Sequence, residues 1–290
     1  MSANRDMRCD LHVHTLHSGY CTVPVAKRFC QECYNQPLAV YQRLKQLGMQ
    51  LITVTDHDSI GAMEQLGRFN DFFTSVEISI EMPSGAEAHI SVYDLSEHQH
   101  IETQRRRNDL PSLLAYLDEQ RLLFGINHVF SGLTGRRDLS DFDWFERHFP
   151  LWETRNGAML PAANQAAASF AASLGKSVTG GSDSHTMSSL ASAYTEVPGA
   201  RNRAEFLDGL RSGRSVVGGV TGDGLRVTRD VFSIAMSLAK DKPWTVPLMP
   251  FLLGLPVVAM ANFVSEARFA AVWSSRFATS REPQASPVIA

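Results

Sequence analysis

Asp10-Leu11-His12-Val13-His14 decides how this chain is read, because its pattern of an apolar run ending in imidazoles and carboxylates returns three times. It comes back as Thr55-Asp56-His57-Asp58, as Asn127-His128 and as Gly181-Ser182-Asp183-Ser184-His185. Candidate strands cover residues 9–14, 51–55, 75–80, 89–93, 122–128, 151–154 and 177–180. Helical patterns lie between several of them. One opens at Pro37 and carries Leu38, Tyr41, Leu44 and Leu47 on one face, and others span about 164–174 and 203–210. Strand-then-helix repetition of this kind predicts an α/β fold with a parallel sheet, open or closed into a barrel. In such folds the chemistry collects on loops at the carboxyl ends of the strands, which is where the named residues fall.

The 290 residues are enough for a full core and an appendage. With 27 basic against 30 acidic side chains, bulk charge does not grip long nucleic acid, so an acidic substrate must be held locally. All four cysteines, Cys9, Cys21, Cys30 and Cys33, lie near the start, unlike a disulfide scaffold. Cys30-x-x-Cys33 with Cys21 and His17 offers an alternative zinc site, but the spacing matches no standard motif, and a reduced packing role is favoured. Met1 to Arg8 has no apolar core for a signal peptide, which together with the cysteines predicts a cytoplasmic location.

After about residue 222 the composition changes. Trp244 to Val264 carries no charge but contains Pro247, Pro250 and Pro256, so a bilayer span is not expected. The prediction is a catalytic domain over 1–222 and an apolar extension over 223–290, helical or irregular. The extension would pack on the domain or touch a membrane surface or a protein partner through 244–264.

Residues two apart on a strand point the same way, so His12 and His14 project together, as do Asp183 and His185. Imidazoles and carboxylates in such clusters are ligands for zinc, manganese or iron. In order, Asp10 to Thr15, Thr55 to Asp58, the Glu77 strand, the His89 strand, the His128 strand end and Gly180 to His185 resemble the motifs of the PHP (polymerase and histidinol phosphatase) metallophosphoesterase family. The resemblance covers residues 8–220, and Trp152-Glu153-x-x-Asn156-Gly157 adds similarity to PHP proteins with that motif.

The resemblance implies a distorted (β/α)7 barrel with two or three divalent transition metals: Mn, Zn or Fe. His12, His14, Glu77 and Asp183 would hold the first metal. Glu77 would bridge to a second, completed by His89 and His128. His57 and His185 would serve a third or supply the leaving-group proton, with Asp56 in the catalytic set. Asp10, Asp56 and Asp58 would orient imidazoles. One departure stands out. Many relatives carry an acidic residue or histidine a few positions beyond the second histidine, where this chain has Ser18-Gly19-Tyr20. The third site is then weak, empty or completed by His17, and both dinuclear and trinuclear readings stay open.

The activity implied is hydrolysis of a phosphate ester of a small metabolite or nucleotide by a metal-bridged hydroxide. Arg136 and Arg137 are candidates to clamp the phosphate, whereas Arg105-Arg106-Arg107 reads as a solvated helix face. Alternatives are an exonuclease acting on short oligonucleotides, a non-catalytic PHP-like interaction module, and a hydrolase of C–N or C–O bonds. The exonuclease lacks a basic groove, and the intact ligand set argues against the non-catalytic module.

Overall fold

The computed structural model describes residues 6–21, 26–132 and 137–280. The strands are β1 (Met7–Cys9), β2 (Ser75–Glu81), β3 (Glu87–Tyr93), β4 (Leu123–Ile126), β5 (Leu151–Asn156), β6 (Ser177–Gly181), β7 (Ala193–Val197) and β8 (Val216–Gly219). The helices are α1 (Pro37–Gln46), α2 (Met63–Leu66), α3 (Glu97–Arg106), α4 (Leu110–Glu119), α5 (Leu139–His148), α6 (Pro161–Ser173), α7 (Arg203–Arg211), α8 (Gly224–Asp241) and α9 (Leu255–Ser280). The fold is mixed α/β.

Strands β2 to β6 form one sheet in chain order, and β1, β7 and β8 form another with β7 in the middle. The expectation of a parallel sheet needs correcting. Only β4, β5 and β6 run parallel, whereas β3 is antiparallel to both β2 and β4, and the smaller sheet is antiparallel throughout. Residues 82–86 alone separate β2 from β3, and the Met82 N–H donates to the Ala86 carbonyl at 2.8 Å. So short a link closes a hairpin, while a parallel crossover needs about a dozen residues.

Two expected strands are irregular. Residues 10–14 leave the ladder after Cys9, and the 51–55 stretch makes only an isolated bridge between Ile52 and Phe72. Side chains take over backbone partners there: the Val13 N–H donates to Thr55 Oγ1 (3.1 Å) and the Thr15 N–H to Asp56 Oδ1 (2.5 Å). The segments still run beside the sheet. The Asp183 N–H donates to the His12 carbonyl (2.7 Å), the Thr55 N–H to the Val13 carbonyl (2.7 Å) and the Glu77 N–H to the Asp56 carbonyl (3.2 Å). Backbone hydrogen bonds thereby run from the end of β6 through both segments to β2. Gly181 permits the first contact, since a Cβ there would sit 2.3 Å from His12 Cβ.

Strand β2 shows how the core positions the site. Val76, Ile78 and Ile80 belong to the cluster that includes Leu110, Leu113, Leu114 and Leu117 of α4. The period of two sends Ser75, Glu77 and Ser79 to the opposite face.

Of the two forms expected for the extension, the helical one dominates, with α8 and α9 covering most of its described residues. A 3₁₀ stretch over Pro243–Gly254 contains Pro247 and Pro250, and α9 follows with Pro256 in its first turn, where a missing N–H is tolerated. Residues 255–264 are therefore helical. Ala270 and Trp273 of α9 join the main core, with Trp273 stacked on Phe142 at 5.0 Å, and Glu266 accepts from Ser131 Oγ at 2.8 Å. Trp244, Val246, Val257, Val258 and Met260 stay exposed. Among the described residues no helix is long and apolar enough to cross a membrane.

Candidate metal centre

Glu77 is fully buried, and its two carboxylate oxygens face different imidazoles. Oε2 lies 3.1 Å from His12 Nε2, 3.4 Å from His14 Nε2 and 3.4 Å from His57 Nδ1. Oε1 lies 3.3 Å from His89 Nδ1 and 3.3 Å from His128 Nε2. Asp183 Oδ1 faces His12 and His14 at 3.6 and 3.4 Å. His89 reaches the cluster from near the start of β3 because that strand runs against its neighbours, and the Asn127 N–H donates to the His89 carbonyl at 3.0 Å. His128 (φ 28°) and Asp183 (φ 50°) both hold left-handed backbone, a strain of about 1–3 kcal/mol each. Glu153 Oε2 fixes the first by accepting the His128 N–H at 2.9 Å.

These spacings suit shared cations. His14 Nε2, His89 Nδ1 and His185 Nε2 are buried with no hydrogen-bond partner. Their nearest carboxylate oxygens are 3.4, 3.3 and 3.5 Å away, on Glu77 and equally Asp183 for His14, on Glu77 for His89 and on Glu32 for His185. A charge-assisted hydrogen bond would close to about 2.7–2.9 Å. Ligands about 2.0–2.1 Å from one tetrahedral cation lie about 3.3 Å apart. His12, His14, Glu77 and Asp183 would hold one ion, and Glu77, His89 and His128 a second, both of the Zn, Mn or Fe class.

Charge is unevenly divided in the cluster: burial lowers His12 and His89, but carboxylates outweigh it, Glu77 and then Asp183 holding His12 well above the usual imidazole range and Glu77 bringing His89 up to about 10. Burial drives His14 down to about 3, with the His185 and His57 charges adding, so its imidazole is neutral. Burial opposes ionisation of Glu77, but His12, His57 and His89 hold it well below the usual carboxylate range. Burial likewise raises Glu32, yet His185 and then His57 and His14 bring it to about 2. The cluster opens onto a cavity of about 430 Å³ whose lining includes Tyr20, Glu32, His57, Asp58, Glu87 and His185, with no arginine or lysine among the described lining residues.

The family model described as PHP-associated matches residues 161–215, the stretch from α6 to just beyond α7 that carries Asp183 and His185. The resemblance to the PHP family is borne out. Among solved structures, PsfC from Pseudomonas syringae PB-5123 is similar to the chain with a TM-score of 0.54 at 19% identity, covering 79% of this chain and 97% of that one. The lesion-specific endonuclease PfuEndoQ from Pyrococcus furiosus gives a TM-score of 0.52 at 14% identity, covering 75% of this chain and 60% of its own. At these identities the likeness is one of fold. Comparison with curated proteins gives no match.

The PHP resemblance at Trp152 to Gly157 has a physical content that residue order does not disclose. Glu153 Oε1 accepts from His12 Nδ1 at 2.8 Å, while Oε2 takes the His128 N–H and Asn156 Nδ2, both at 2.9 Å. Asn156 also donates to Asp183 Oδ2 at 3.1 Å. Asn127 Nδ2 donates to Glu77 Oε1 at 2.7 Å. The motif is a signal for Glu153 and Asn156, whereas Glu32 sits inside Cys30-x-x-Cys33 and belongs to none of the motifs that carry the PHP resemblance.

Several sequence expectations change. Asp10 accepts backbone N–H groups of Ser182 (2.7 Å) and Ala191 (2.9 Å), not an imidazole. Asp56 is fully buried and takes the Thr15 and Ser18 hydroxyls at 2.7 and 2.8 Å, so it positions the loop under His14 and cannot reach substrate as a catalytic group. Asp58 pairs with Arg107 at 2.5 Å instead of orienting a histidine. His17 is turned away, its ring packed against Gly61, and does not complete the third site. Cys33 Sγ faces the His14 carbonyl at 3.3 Å, and among the described residues no cysteine joins a metal-binding group. Arg137 is buried, donates to the Glu87 carbonyl and does not line the cavity. Arg136 lies outside the described residues. His57 and His185 do line the cavity.

Proposed function

We propose that the chain is a hydrolase, specifically a metal-dependent phosphoesterase acting on a small phosphorylated metabolite or nucleotide. One observation carries the reading: the two oxygens of buried Glu77 face separate imidazole sets, His12 and His14 on one side and His89 and His128 on the other. Two divalent ions held there would neutralise phosphate oxygens and supply an activated water near neutral pH. The chain's own groups hold that arrangement. Glu153 takes the Nδ1 proton of His12 and leaves Nε2 free to ligate. Asn127 fixes one oxygen of Glu77 by donating to it.

The cavity supports a small ester over a polyanion. Its lining adds Glu32, Asp58 and Glu87 to the buried carboxylates, and the neighbouring Arg107 is already paired with Asp58. Substrate charge is thus left to the ions, and a long phosphodiester backbone would be repelled at the entrance. The proposal takes 1–222 as the catalytic unit, folded as the distorted (β/α)7 barrel that the resemblance implies, and 223–290 as an extension packed on it.

Manganese-reconstituted protein should release inorganic phosphate from some members of a panel of sugar phosphates and nucleoside monophosphates. Mononucleotides from short oligonucleotides, with no phosphate from the panel, would favour the exonuclease. No turnover with any metal would reject the enzyme altogether.

A further inference from the structure

Ser18 opens the Ser18-Gly19-Tyr20 stretch in which the resemblance leads one to expect a ligand, and it is used for something else here. Its hydroxyl lies 3.0 Å from His14 Nδ1 and donates to Asp56 Oδ1 at 2.8 Å, so it holds His14 from behind. The chain then doubles back. The Glu32 N–H donates to the Gly19 carbonyl at 3.0 Å, Tyr20 bridges Gln31, and the Cys21 N–H donates to the Cys30 carbonyl at 3.0 Å. This ladder sets Glu32 beside Gly19, one position past Ser18.

The Glu32 carboxylate faces the two histidines that the first two sites leave over. Oε2 lies 3.5 Å from His57 Nε2 and Oε1 lies 3.5 Å from His185 Nε2, a nitrogen buried without a hydrogen-bond partner. The His57 and His185 rings stack with His14 at 4.6 and 4.2 Å, which keeps all three together. No arginine or lysine among the described residues pairs with Glu32. Both separations are too long for a strong hydrogen bond and near the edge of about 3.3 Å between two ligands of one ion.

We propose that Glu32 completes a third divalent-cation site with His57 and His185, replacing across the ladder the ligand missing at positions 18–20. The proposal rests on the two-ion reading above, and under it His57 and His185 are ligands and not proton donors. An ion at this wall of the cavity would be placed to meet a further substrate oxygen.

The test is metal stoichiometry and affinity with manganese(II), measured by elemental analysis after equilibrium dialysis and by titration calorimetry. Wild-type protein should bind three ions per chain at saturation. Glu32→Gln, close in shape, should bind two with unchanged affinities and an unchanged metal-free melting temperature. His185→Asn should lose the same ion, which guards against a folding defect peculiar to one variant. Two ions in both wild type and Glu32→Gln would overturn the third site while leaving the two-ion centre standing. Three ions in Glu32→Gln would overturn the role of Glu32. Fewer than two in wild type would reject the two-ion reading, and this proposal with it.

Discussion

Glu153→Gln is the sharpest perturbation available, because it changes one oxygen to nitrogen at a site where every neighbour is a donor. The carboxylate accepts from His12 Nδ1, the His128 N–H and Asn156 Nδ2 at 2.8, 2.9 and 2.9 Å. A carboxylate only accepts, whereas an amide offers one acceptor and one donor end. If the glutamine NH₂ faces His12, the imidazole must accept at Nδ1 and carry its proton on Nε2, the atom 3.1 Å from Glu77 that would ligate. If it faces the other way, it meets the His128 N–H and Asn156 amide as a donor against donors. Either orientation damages the first site. Loss of such a supporting group costs about 10–100-fold in metal affinity, or about 1.4–2.7 kcal/mol. Competition of the reconstituted protein against a fluorescent chelator reads this directly, with circular dichroism to check the fold. An affinity within twofold of wild type in a folded variant would show that Glu153 does not set the state of His12.

Further outcomes are expected elsewhere. Glu77→Gln should lower occupancy at both sites, whereas His89→Ala should mainly empty the second; equal, mild losses in elemental analysis would exclude the bridge. Trp273→Ala removes a ring that is 6% exposed and stacked in the main core, so urea unfolding should show a loss of about 3–5 kcal/mol. Unchanged stability there would mean that the extension is not coupled to the core. Asp71 gives a pH signature: burial raises its carboxyl, but Lys45 at 2.7 Å and the Tyr41 hydroxyl at 2.8 Å outweigh that and hold it below its ordinary value. A depressed folded value adds stability above the unfolded value of about 3.9 that is lost as pH falls through the folded one. Asp71→Asn should therefore cost under about 1 kcal/mol at pH 7, since the pair is partly exposed, and the difference should shrink as pH falls below about 3.9 through the lowered folded value. A constant difference across that range would rule out the ionic contribution.

The chemistry of the centre and much of the scaffold can be read from residue order alone. Apolar runs of period two and helical stripes are local signals, and they locate β2 to β6, α1, α6 and α7 to within a few residues. His-x-His and Asp-x-His spacings likewise carry meaning within three residues, so His12, His14, Asp183 and His185 are legible from local spacing. Strand direction is not, because the five-residue link between β2 and β3 has to be weighed against the helical patterns elsewhere. The strands β7 and β8 are not among the runs that local patterning picks out. Tertiary contacts settle that Asp56 supports His14 through Ser18, that Asp58 belongs to Arg107, and that Glu153 and Asn127 hold the ligands. They also bring Glu32 to His57 and His185, residues 25 and 153 positions further along the chain. Ligand types are chosen by coordination chemistry, which composition and spacing display. Which carboxylate faces which imidazole depends on backbone hydrogen bonds between distant segments, and no local pattern records those.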